Sequence, residues 1–207
     1  MPDAAEMTVI DPSSLPRRDA YYFMISALVP RPIAFVSTVG KDGVMNCAPF
    51  SFFMGVTSDP PTLAVSIGSR KGVRKDSARN ILETGEFAVN IVEDAIAEKM
   101  NLASGEYPPD VSEFALTGLT PAASDLIKAP RIAESPISME CKLVHHIDVG
   151  NALNAVLFGE ILRYHVRADV LDETGKLVDP MKLNAIGRLG PDAYTRVNNV
   201  FVMERPK

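Results

Sequence analysis

The sequence has no tryptophan, only three histidines and two cysteines, and no apolar run long enough to cross a bilayer. The missing tryptophan decides nothing about function. Cys47 and Cys141 stand far apart, make no metal spacing and no disulfide framework, and suit a reducing cytosol. No basic start followed by an apolar core opens the chain, so no signal peptide is expected and the expected location is cytoplasmic. His145 and His146, adjacent on a strand, point to opposite faces, and His165 is unrelated to them in spacing, so no metal site is expected. Lys and Arg number 21 against 26 Asp and Glu; the net charge of −5 argues against general nucleic-acid or anionic-membrane binding. There is no GxGxxG fingerprint, no catalytic triad and no paired-carboxylate signature, so no catalytic side chain is assigned.

What is present fits one well-cored domain: 207 residues, 46% hydrophobic and 23% charged. Residues 1–19, polar and dotted with Pro2, Pro12 and Pro16, read as an N-terminal arm, and 20–207 as the domain. A short helix opens near Asp19 and ends before Pro30. Strands are expected at 33–39, 44–48, 62–67, 87–92, 137–146, 153–166 and 200–203. Helices are expected at 76–84, capped by Asp76 and stopped by Gly85, and at 94–102, with short helical turns near 122–127. Several strands at short spacing with few helices point to a mainly β, mostly antiparallel barrel with peripheral helices.

Two stretches carry the chemistry. In Arg31–Phe53, a strand with both faces buried turns at Gly40-Lys41-Asp42-Gly43 into a return strand bearing Asn46 and Cys47. Pairing is expected to stop or bulge at Pro49, leaving Ser51, Phe52 and Phe53 beside free backbone amides. A hydroxyl, a carboxamide and amides near aromatic surface suit a flat, heteroatom-rich ring. In Ser66–Asn80, Arg70, Lys71, Arg74 and Lys75 sit on a glycine-containing loop that feeds a helix start, with Ser69 and Ser77 adding hydroxyls. Cations and unpaired helix-end amides favour an anion there, and phosphate uses that many donors best. The loop is not a Walker motif. Cys47 within a strand reads as a small core residue before it reads as a nucleophile.

RPIAFVST, NCAPFSFF, the double-proline turn, Lys75-Asp76-Ser77 with Asn80-Ile81, and EFAVNI occur in that order. EFALTGLT, ISMEC, Gly159-Glu160-Ile161, IGRLG and Tyr194 continue the series. The series resembles the flavin reductase-like FMN-binding split-barrel family, over roughly residues 20–205. That resemblance implies a six-stranded Greek-key split barrel, a homodimer, and one FMN per subunit near the dimer interface. It implies ring and ribityl contacts from Ser37, Thr38, Asn46, Cys47, Ala48, Ser51 and Phe52. It also implies a phosphate end held by Ser66, Gly68, Lys75 and Ser77, with Arg188 and Tyr194 approaching late in the chain. Pro191 stands where relatives often carry a second glycine.

Three functions follow as expectations. The first is an enzyme that reduces flavin with NADH or NADPH and passes electrons to free flavin, a partner oxygenase or another acceptor. The second is a flavoredoxin-like electron carrier, and the third a flavin-binding module without turnover. Hydride transfer needs ring-on-ring stacking and little acid–base machinery, in keeping with the absent triad.

Overall fold

A helix, α1 (Arg17–Ala27), comes before the first strand and begins inside the segment read as an arm. Next comes β1 (Ala34–Val39), buried along nearly its whole length. The computed structural model describes residues 6–206 and shows why both faces of β1 are covered. Ala34 and Val36 face an inner core with Leu63, Val65, Phe87, Val89 and Leu157. Phe35 faces an outer core with Cys47, Met100, Phe114 and Ile186.

The return strand β2 (Met45–Phe50) does not stop at Pro49, which pairs with Phe35 in regular register. The reason is that β2 is an edge strand. The Cys47 N–H points outward and donates to Glu113 at 3.2 Å. Two residues on, the N–H that Pro49 lacks would fall on the same outer side, where the ladder has no use for it.

A strand not anticipated from sequence follows, β3 (Phe53–Ser58), and then β4 (Pro61–Ile67). The basic loop is itself a hairpin of β5 (Ser69–Arg70) and β6 (Val73–Arg74), turned by Lys71 at φ 47° and Gly72 at φ 77°. Helix α2 (Asp76–Thr84) has the expected span and ends on Gly85 at φ 75°. Its N-cap is Lys75, however; Asp76 lies in the first turn and pairs with Arg79 at 2.7 Å.

After β7 (Glu86–Ile91), α3 (Ala97–Leu102) follows a short 3-10 turn and buries Met100, with Ile96 and Ala103 beside it. A short helix, α4 (Glu113–Thr117), went unassigned from sequence. The helical turns expected near 122–127 are absent; β8 (Pro121–Ala122) pairs instead with β9 (Arg131–Ile132). A long hairpin of β10 (Ile137–Val149) and β11 (Asn154–Val166) leads to α5 (Pro180–Leu183). A last hairpin joins β12 (Ile186–Arg188) to β13 (Tyr194–Arg196). Val200–Met203 is not a strand: it has no pairing partner among the described residues and its side chains are exposed.

The main sheet has seven strands in the order β2-β1-β7-β10-β11-β4-β3, one more than the six expected; the addition is β3. All its pairings are antiparallel. Its two edge strands, β2 and β3, are joined by Ser51 and Phe52 alone. A sheet whose outermost strands share a two-residue link must curl until its edges meet, which gives a split barrel. Gly159 admits the core ring of Phe87: a Cβ there would lie 2.4 Å from Phe87 Cζ.

Away from the split, the β10–β11 hairpin carries His165 to 2.5 Å from the fully buried Glu140, with Asp125 nearby. Chain spacing gave no hint of this meeting. Glu140 also accepts the backbone N–H groups of Asp125 at 2.8 Å and Leu126 at 2.7 Å, while Arg163 pairs with Asp125 at 2.5 Å. These bonds make the cluster a clasp for the loop before β9. Among the described residues, no helix is long and apolar enough to cross a membrane.

Candidate functional site

Where the sheet edges meet, a cavity of about 1330 Å³ opens between the Ser51–Phe52 link, the β5–β6 hairpin, the start of α2, and α1. Ala48, Ser51, Phe52, Ser66, Gly68, Lys75, Ser77, Arg188 and Tyr194 all line it. Ser37, Thr38, Asn46 and Cys47 do not; they lie beneath its wall, buried.

The floor is the Ser51–Phe52 link. The backbone N–H groups of Ser51 and Phe52 make no backbone hydrogen bond among the described residues, whereas the Phe52 carbonyl accepts from the Ser66 N–H at 2.8 Å. Ser51 Oγ accepts from Arg31 Nε at 3.3 Å, which leaves its own proton to donate. Strand alternation turns the Ala48 N–H toward β1, the opposite way from that of Cys47, so the free amides lie on the link and not on Ala48.

One corner is cationic. Arg74 Nη2 pairs with Asp148 at 2.6 Å, but Arg74 Nη1 is buried with no hydrogen-bond partner among the described residues. Arg70 pairs with Glu106. The Lys75 ammonium makes no ion pair among the described residues and lies 5.6 Å from the centre of the Phe50 ring. Lys75 is exposed to the open cavity, yet the surrounding walls desolvate it. Its pKa falls below the ordinary lysine value, first through that desolvation and then through the charge of Arg70. Two donors without an acceptor, at the start of a helix with unpaired amides, fit a phosphate.

In and beneath the wall, the uncharged polar groups next to Glu113 are all spoken for. Asn46 Nδ2 donates to both Glu113 oxygens at 2.9 Å, which fixes Asn46 Oδ1 toward Ser77. Ser77 Oγ gives its one proton to that oxygen at 2.8 Å. Thr38 Oγ1 accepts from Asn80 Nδ2 at 3.0 Å and lies 3.5 Å from Asn46 Oδ1. Ser37 Oγ donates to the Pro130 carbonyl at 2.5 Å and accepts from Asn90 Nδ2 at 2.9 Å. Toward the cavity, Ser77 therefore shows lone pairs, which cannot donate to a phosphate. Burial raises the Cys47 thiol pKa, with Glu113 and Glu134 adding to the effect, so Cys47 stays a protonated core residue.

Glu113 was not picked out from sequence. It lines the cavity while nearly fully buried, and that burial pushes its carboxyl pKa up against the opposing pull of its backbone, Cys47 and Asn46 hydrogen bonds. The signal available was its position at the head of EFALTGLT. At the far wall Arg188 stacks over Tyr194, 4.5 Å from ring centre, and its guanidinium also reaches the carbonyls of Gly190, at 2.9 Å, and Pro191. Tyr194 Oη reaches Asn101 Oδ1 at 3.2 Å.

Residues 26–183 match the family model described as the flavin reductase like domain. The chain belongs to the flavin reductase-like family. A relative, an uncharacterized protein of Aquifex aeolicus, is 44% identical over 177 residues, which is 85% of this chain and 89% of that protein. The crystal structure of nitrilotriacetate monooxygenase component B from Bacillus cereus superposes with a TM-score of 0.93 at 33% identity, over 97% of this chain and all of that one. The crystal structure of 2-nitrobenzoate 2-nitroreductase from Pseudomonas fluorescens gives a TM-score of 0.88 at 33% identity, over 96% of each chain. In flavin reductase-like terms, the cavity lies at the split of the barrel.

Proposed function

We propose that this chain is a cytoplasmic flavoprotein enzyme that binds FMN in the cavity at the barrel split. It takes electrons from NADH or NADPH and delivers them to free flavin or to a partner oxygenase. The observation that carries the reading is the pairing of free link amides at Ser51 and Phe52 with the unpaired Lys75 ammonium and the half-bonded Arg74 guanidinium on one cavity. The family membership supports it, as does the similarity to a monooxygenase component B.

In this reading the Ser51 and Phe52 amides face the electron-rich edge of the flavin ring and favour its reduced, anionic form. Ala48, Ser66 and Gly68 flank the ring and ribityl chain, and Lys75 with Arg74 holds the phosphate. Ser77 meets a ligand hydroxyl or N–H, and Arg188 and Tyr194 close the far side. Ser37, Thr38, Asn46 and Cys47 act from beneath, by holding the wall in shape. Bound FMN would supply the acceptor for a hydride from the nicotinamide ring and the donor of electrons onward. The functional unit is a homodimer. Its support is edge strand β3, where Met54 and Val56 are exposed, and the uncovered apolar tail of Val200–Met203.

Stopped-flow mixing of the FMN-loaded protein with NADH and with NADPH tests the enzyme reading. Rapid bleaching of the flavin band is the expected result. A flavin that binds tightly but stays oxidised with both donors would assign a carrier role instead, and failure to take up FMN would end the proposal.

A further inference from the structure

The cavity is larger than one mononucleotide needs: ligand pockets usually run to about 300–1,000 Å³, against about 1330 Å³ here. Helix α1 forms one of its walls, apart from Arg74 and Lys75 in chain position. There Arg17, Arg18, Tyr21 and Tyr22 line the wall, and neither arginine forms an ion pair among the described residues. Arg18 sits 5.1 Å from the centre of the Tyr22 ring, and the Tyr21 and Tyr22 rings lie 5.9 Å apart and tilted. Tyr21 is 48% exposed, with much of its ring still uncovered.

A helix that displays two unpaired guanidinium groups beside two phenol rings matches a ligand with phosphates next to an aromatic base. The helix is also wired to the cavity floor. Arg31 donates to the Leu28 carbonyl at 2.6 Å and to that of Ile25, and the same guanidinium reaches Ser51 at 3.3 Å. Beyond that tie α1 buries a single side chain, Ile25, so the core gives little reason to keep arginines and tyrosines on its cavity side.

We propose that α1 seats the tail of the electron donor, a reduced nicotinamide dinucleotide. Arg17 and Arg18 receive its phosphates and Tyr21 stacks on its adenine, which leaves the nicotinamide ring free to stack on the flavin. The inference rests on the function proposed above and adds to it the part of the chain that recognises the donor. The residues that would hold FMN phosphate, Arg74 and Lys75, belong to a different wall, so the two anions do not compete.

The test uses the full-length FMN-loaded protein and two donors with the same reacting ring: NADPH, and uncharged 1-benzyl-1,4-dihydronicotinamide. The double variant Arg17→Ala/Arg18→Ala is expected to raise KM for NADPH roughly five- to tenfold, as for the loss of two solvent-reached charge contacts. The ratio of kcat/KM for NADPH over that for the uncharged donor should fall by the same factor. Salt should narrow the difference between wild type and variant. Tyr21→Leu should lower the same ratio by a smaller factor. An unchanged ratio, equal losses with both donors, or a variant that alters subunit association in place of KM would each overturn the assignment. If the wild-type protein oxidises neither donor, the enzyme reading itself falls and the tail site falls with it.

Discussion

Two polar sets around the wall behind Lys75 do opposite things. On the cavity side, Arg74 and Lys75 hold donors that nothing among the described residues satisfies. In and beneath the wall, Thr38, Asn46, Ser77 and Glu113 are polar too, and each is bonded to a neighbour. The first arrangement waits for a partner and the second is already complete. Polarity alone does not separate ligand contacts from internal struts. The count of hydrogen bonds already spent does.

Glu113→Ala should break this contrast most severely. It strips the acceptor from Asn46 Nδ2 and the Cys47 N–H in a buried place, with an expected loss of about 2–4 kcal/mol in folding stability. Chemical denaturation measures it; a loss under about 1 kcal/mol would show the network to be dispensable. Lys75→Ala should leave folding nearly untouched yet weaken FMN binding by about 1.5–3 kcal/mol, the range for a charge-assisted contact. Riboflavin, which lacks the phosphate, should lose almost nothing in the same titration, and an equal loss for both ligands would move Lys75 away from the phosphate.

Ser77→Ala should cost less than about 1 kcal/mol in FMN affinity, because its proton is committed to Asn46. Any loss should be equal for FMN and riboflavin. A loss confined to FMN would mean that the hydroxyl turns to the phosphate after all. The smallest effect concerns pH. Burial raises the Glu113 pKa above its ordinary value near 4.5. The folded state therefore holds this proton to higher pH than the unfolded chain, and stability contributed there falls as pH rises from 4.5 through the folded-state pKa. Thermal melts across that window should show a shallower decline in Glu113→Gln than in the wild-type protein.

Much of the barrel was legible because its signals are local. Alternating small and large residues in 33–39 marked a strand buried on both faces, and Gly85 marked the end of α2 to the residue. β3 escaped because neither face of Phe53–Ser58 is fully buried, so no period-two pattern distinguishes it. α4 escaped because a five-residue helix owes its existence to Phe114 in the outer core and to the bonds of Glu113, both made far along the chain. Pro49 misled because local chemistry cannot say which strand is an edge. The cationic corner was readable, since charge clusters stay visible in sequence. The fate of Asn46 was not: whether a carboxamide faces a ligand depends on a carboxylate 67 residues away.

The two-residue connection between β2 and β3 bears on how the protein responds to an empty site. A ligand gripping Ser51 and Phe52 on one side and Arg74 and Lys75 on the other acts as a rivet across the open seam of the sheet. Withdrawing FMN should let the strands on either side breathe, so that amide exchange quickens in Met45–Phe50 and Phe53–Ser58 while β7 and β10 stay slow.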